Sequence, residues 1–188
     1  MFTRVTALLI AVGAFVASAS VVAYETIDDM ARRVPLIVRG KVVRSISGWD
    51  DGHRRIWTWT EVAVSDAIKG QSGKLVLVKQ PGGEVEGIGQ QVDGVARFTE
   101  GDDCILFLEP APDEKNVWRP SGLSAGKVNV TVERGQTVAM RITEGLSFAV
   151  QGERKVGIVQ PRETLGAPAQ FIERLRAASA PLKKGGAK

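Results

Sequence analysis

The stretch Ile56-Trp-Thr-Trp-Thr-Glu-Val-Ala-Val-Ser-Asp-Ala-Ile68 alternates with a period of two. Thr58, Thr60, Val62 and Val64 fall on one side, and Trp57, Trp59, Glu61, Ala63 and Ser65 on the other. Such alternation marks an extended strand, and the β-branched and aromatic content suits a pleated sheet. The valine side reads as the core side. On that assignment Trp57, Trp59 and Glu61 lie on an outer or cleft-facing side.

The flanking chain repeats the pattern. Residues 36–45 read as a first strand, feeding a polar loop over 47–53 that contains Trp49, Asp50, Asp51 and His53. Lys69-Gly-Gln-Ser-Gly73 is a turn, and residues 75–79 are a third strand. Pro81-Gly-Gly83 opens a Gly-rich excursion to Gly94 with room for one short strand, over 85–88. Residues 104–109 are apolar on both faces, which predicts a central strand. Pro110, Pro112 and Pro120 frame a loop holding Trp118. Val128, Val130 and Val132 then alternate, Glu133-Arg-Gly-Gln136 turns the chain, and Val138, Met140 and Ile142 return. An edge strand is expected over 146–150.

Two helices bracket these strands. Over 25–33, Thr26 can cap, Asp28 and Asp29 sit in the first turn, and Arg32 and Arg33 in the last. Over 168–178, Pro168 suits the first turn and Phe171, Ile172 and Leu175 form an apolar stripe. There is no internal repeat. The expected class is mainly β: a small OB-like closed or half-open barrel with an added hairpin and a short helix near each end, with a β-sandwich as the alternative.

Residues 1–23 read as a secretory signal. Arg4 supplies the positive start, residues 5–16 the apolar segment, and two small-residue sites follow, Ala17-Ser18-Ala19 and Val21-Val22-Ala23. The apolar segment is well short of the roughly 20 residues a membrane-spanning helix needs. The domains expected are a signal over 1–23, a β-barrel over 24–160, a C-terminal helix over 161–179 and a basic disordered tail over 180–188. The protein is expected to be exported, periplasmic or extracellular, with no stable membrane insertion after cleavage.

The isoelectric point of 9.4 does not describe the body. Residues 24–172 carry 19 basic and 20 acidic groups, a balance of about −1, and the excess is Arg4 and the tail set Arg174, Arg176, Lys183, Lys184 and Lys188. A nucleic-acid domain carries its basic patch on the folded body, so no nucleic-acid partner is expected. Cys104 is the only cysteine, so no internal disulfide forms. It sits in the apolar run 104–108 and reads as a buried thiol, with no basic neighbour in sequence to activate it.

The segments Pro35-Leu-Ile-Val-Arg-Gly-Lys-Val42, Trp49, Thr58-Trp-Thr-Glu-Val-Ala-Val64, Ile68-Lys-Gly70, Val76-Leu-Val-Lys-Gln-Pro-Gly-Gly83, Phe98-Thr-Glu-Gly-Asp102, Ile105-Leu-Phe-Leu108 and Gly122-Leu-Ser-Ala-Gly-Lys127 span about half the chain. In these it resembles an uncharacterised family of exported bacterial proteins. The core of that family is similar to the OB-type barrel of netrin-like and metalloproteinase-inhibitor domains. The resemblance implies a fold. The inhibitor mechanism does not carry over, because it needs an N-terminal cysteine on the target's zinc and several disulfides, and this chain has neither.

The residues that point to function are Trp57, Trp59 and Glu61, with Trp49, Arg54 and Arg55 in the neighbouring loop. Exposed indoles on a sheet face stack on sugars, bases or a partner surface. A covering loop or helix, bringing Trp118 or Phe171, would instead make them core. His53 with Asp50 and Asp51 is half a metal site with no further His or Cys to complete it, and Asp-Asp-Gly is turn chemistry. Glu100-Gly-Asp-Asp103 reads as a turn rather than a calcium loop, since it lacks EF-hand spacing. Gly82, Gly83, Gly87 and Gly89 lack the Walker lysine and read as a loop at the barrel mouth. No nucleophile–base pair assembles. No metal and no cofactor are expected. Three functions follow in order: a non-enzymatic module binding a protein partner, a module binding an oligosaccharide or other small ligand on the same face, and a metal-dependent enzyme using His53, Asp50 and Asp51.

Overall fold

Two strands of fourteen residues each, β2 (Leu36–Trp49) and β3 (Ile56–Lys69), pair antiparallel and form the spine of the molecule. The computed structural model describes residues 20–149, 156–157 and 161–180. The expected signal falls outside these except for residues 20–23, and the expected tail except for Ala180. No described helix is long and apolar enough to cross a membrane.

β3 continues into β4 (Leu75–Pro81), again antiparallel. β2 pairs on its other edge with β7 (Asp103–Pro110). The ring closes through β8 (Val117–Pro120), parallel to β4 and antiparallel to β7. The order β7-β2-β3-β4-β8 and back to β7 is a five-stranded OB-like barrel. β9 (Lys127–Glu133) and β10 (Gln136–Ile142) are the added hairpin, extending the sheet from β7. β13 (Arg162–Thr164) extends it once more by pairing with β10.

β2 serves both halves of the ring because it is bent. Its register against β3 shifts at Ile37/Val38, Arg39/Gly40 and Val42/Arg44, and such bulges add twist and curvature. Gly40 sits at one of them. A Cβ there would lie 2.5 Å from the Ala63 carbonyl oxygen and 2.7 Å from Val62 Cγ1, so the close approach of the two strands requires glycine.

Two apolar clusters lie on opposite sides of the β2–β7 wall. Leu36, Val38, Val42, Val62, Val76, Val78, Leu106 and Leu108 fill the barrel, with Phe98 and Trp118 packed against them. Ile37, Ile105, Phe107 and Val128 face outward under the two helices. α1 (Ile27–Arg33) contributes Ile27, Met30 and Ala31; α2 (Pro168–Ser179) contributes Phe171, Ile172 and Leu175. Residues 104–108 of β7 are buried on both faces, as their unbroken apolar run predicts. Thr26 caps α1, accepting from the Asp29 N–H at 3.1 Å. Arg174 pairs with Asp28 at 2.9 Å and Arg176 with Asp66 at 2.8 Å, which ties α2 to α1 and to β3.

Several expectations change in detail. β2 runs four residues beyond Ser45, because Ser47, Gly48 and Trp49 stay in register with Thr58, Trp57 and Ile56. Residues 85–88 are not one strand. They hold the turn between β5 (Gly83–Val85) and β6 (Ile88–Gln90), where Glu86 and Gly87 take φ of 52° and 78°. The Pro-framed loop contains strand β8. The C-terminal unit expected as helix over 161–179 begins with strand β13, and helix starts only at Pro168, where the proline suits the first turn. The edge strand is β11 (Leu146–Ala149), paired on one side with β12 (Val156–Gly157). Its other partner, parallel to it, is β1 (Ser20–Ala23), inside the segment expected to be signal.

Candidate functional site

Val62 is fully buried in the barrel, so the opposite side of β3 faces out, and Trp57, Trp59 and Glu61 stand on it half-buried. Each has a cross-strand neighbour on either side. Trp57 lies between Gly48 and Pro81, Trp59 between Ile46 and Lys79, and Glu61 between Arg44 and Leu77. Gly48 leaves the surface low enough for the Trp59 ring, whose Cζ3 would lie 3.5 Å from a Cβ at that position.

Lys79 is the centre of this face. It is only 7 % exposed, and its Nζ lies 4.5 Å from the Trp57 ring centroid and 5.3 Å from that of Trp59. The same ammonium donates to Asp113 at 2.6 Å and to Glu114. Trp59 Nε1 donates to Glu114 Oε2 at 3.2 Å. Burial works against the charge on Lys79, but the two carboxylates outweigh it and raise its pKa, so it stays an ammonium. The hydrogen bond from Lys79 holds the Asp113 carboxyl below the usual aspartate range. The loop between β7 and β8 is thereby fastened onto the indoles.

The turn between β2 and β3 forms the other wall. Asp50 Oδ1 accepts from the Arg54 N–H at 2.7 Å, and the Asp50 and His53 N–H groups donate to the Arg55 and Asp50 carbonyls at 2.8 and 2.9 Å. The first of these contacts lowers the Asp50 pKa. His53 takes φ of 51° and stacks on Trp49, with ring centroids 6.0 Å apart and planes 16° apart. His53 and Asp50 are thus spent on shaping the turn. Among the described residues no group of three or more His, Cys, Asp or Glu side chains is placed to hold a metal ion.

Between these walls lies a half-open cleft of about 790 Å³. Trp49, Trp57 and Trp59 line it with Asp50, Asp51, Arg54 and Arg55 from the turn, Lys79 from β4, and Asp113 and Glu114 from the far loop. Five of the six residues singled out in the sequence therefore meet. Glu61 does not line the cleft; it pairs with Arg44 at 2.5 Å, one step further along the strand. Trp118 packs against the barrel interior and Phe171 lies under the helices, so neither covers the indoles. Sequence reasoning missed Lys79, Asp113 and Glu114. Lys79 carried a signal, an outward position opposite Trp59, but Asp113 and Glu114 reach the site only through barrel closure.

The other candidates fall to structural roles. Asp102 accepts from the Thr99 N–H at 3.0 Å and from Lys127 at 2.8 Å, and Asp103 pairs with Arg39 at 2.7 Å. The run 100–103 is an ion-paired turn. Gly82 to Gly89 belongs to the β5–β6 hairpin and its approach. Cys104 is fully buried, and burial pushes its thiol up to about 12. No known protein family matches the chain, and no curated protein is similar to it.

Proposed function

We propose that the protein is an exported, non-enzymatic binding module that seats an oligosaccharide in this cleft. The observation that carries the reading is the meeting of three indoles with the β2–β3 turn and the β7–β8 loop. In an OB-type barrel the second and third strands and these two loops are where extended oligosaccharides and oligonucleotides bind. Here the corresponding strands are β3 and β4.

The chemistry favours sugar over the alternatives. An indole face accepts the apolar C–H face of a pyranose, while nearby carboxylates and guanidinium groups accept and donate to its hydroxyls. A nucleic-acid groove must be net positive to follow a phosphate backbone. This cleft sets Arg54, Arg55 and Lys79 against Asp50, Asp51, Asp113 and Glu114, and Lys79 is already paired. A protein partner, the leading expectation from sequence, suits a broad surface of roughly 800 Å² per side; a concave site with half-buried indoles suits a smaller ligand. Asp50 and Asp113 are each held below the usual aspartate range by the hydrogen bonds they accept, so both offer charged acceptors to sugar hydroxyls. Export rests on the sequence of residues 1–23.

A glycan array followed by calorimetric titration tests the reading. The wild type should bind at least one oligosaccharide class, and Trp57→Ala should weaken it by about tenfold or more, one stacked ring being worth roughly 1–3 kcal/mol. A folded wild type that binds no glycan but retains a protein in pull-downs would transfer the site to a protein partner.

A further inference from the structure

We propose that export processing cuts the peptide bond between Ala19 and Ser20, so that the mature chain begins at Ser20. This rests on reading the first residues as a signal; given a signal, it chooses between the two small-residue sites. Cleavage is hydrolysis by a signal peptidase: water adds across the bond, leaving a carboxylate on Ala19 and a new α-amino group on Ser20.

β1 distinguishes the two sites. Ser20, Val21, Val22 and Ala23 pair in parallel with Leu146, Ser147, Phe148 and Ala149. Their exposure alternates as a strand built against a core alternates, with Val21 61 % exposed and Val22 packed onto the helix-side cluster. The Ser20 hydroxyl donates to the Asp93 carbonyl at 2.6 Å. Just beyond, the Tyr24 ring, still exposed, meets Phe148 edge-on at 5.9 Å, which continues the contact with β11 past the strand. A cut after Ala23 would remove all four residues. Among the described strands β11 would keep β12 alone as a partner, and it would lose the Val22 contact and its pairing along one edge. A cut after Ala19 leaves the strand whole. The residues before each bond agree, because Ala17 and Ala19 fit the small-residue requirement more closely than Val21 and Ala23 do.

The test is the intact mass and N-terminal sequence of the full chain after export from a bacterial host. A mature chain starting at Ser20 is expected. A start at Tyr24 overturns the proposal but leaves the signal reading standing; a chain that keeps Met1 after export removes both. A second measurement compares mature chains made to begin at Ser20 and at Tyr24. The shorter one should melt lower by more than about 5 °C. Equal melting temperatures would show that β1 adds nothing to the fold and would overturn the structural basis for the choice.

Discussion

Lys79 is a cation of the protein's own, held against two indoles and between two carboxylates. Lys79→Met keeps the aliphatic stem and removes every charged contact. Asp113 and Glu114 are 52 % and 35 % exposed and return to water without penalty, so the expected cost is modest, about 1–2 kcal/mol in urea unfolding. The larger expected effect is local: acrylamide should quench Trp57 and Trp59 more readily once the far loop is released. Cys104 is closed to solvent altogether. With its thiol pushed up to about 12 and no exposure, it should resist thiol reagents at pH 8 in the native protein and react promptly in denaturant. Both indoles and the buried cysteine were legible in the sequence, because alternation and an apolar run are local signals. The carboxylates that meet Lys79 were not, since their partner lies more than thirty positions away.

The long strands declare themselves in the sequence and the short ones do not. β3 and the β9–β10 hairpin alternate over enough residues to be read directly. β8 has four residues, the last of them Pro120, and β13 has three, so their strand character comes from neighbours already in place rather than from their own sequence. The curvature of β2 depends on Gly40. Gly40→Ala would push a methyl into the β3 backbone and should cost about 2 kcal/mol or more, read as a lower urea midpoint with an unchanged slope. β8 holds β4 through two residue pairs and β7 through three, whereas the β2–β3 ladder runs from Ile37–Lys69 to Trp49–Ile56. Native-state hydrogen exchange should therefore show the β8 amides opening at lower free energy than those of β7.

For the whole molecule, acid is the condition that loosens the fold. Burial opposes charge on Glu109 and Asp102, but Arg33 with Ser121, and Lys127 with the Thr99 N–H, outweigh it and lower both pKa values. Asp113 is lowered by Lys79. A carboxyl lowered in the folded state adds stability above its unfolded value, about 3.9 for Asp and 4.3 for Glu, and loses it as pH falls through the folded value. The melting temperature should be level from pH 5 to pH 8 with respect to these groups and should fall steadily below about pH 4. Each of the three ties distant parts together: α1 to β7, the turn before β7 to β9, and the far loop to β4.

The loop that carries Asp113 and Glu114 runs straight into β8, the strand that completes the ring. The cleft wall and the seam of the barrel are one continuous piece of chain. On the proposed binding role, a ligand lodged against that wall would act as a latch on the seam, because opening the seam would move one wall of the cleft. Occupancy should then be legible far from the cleft, as slower exchange along β7 and β4 and as a rise in melting temperature that scales with ligand concentration.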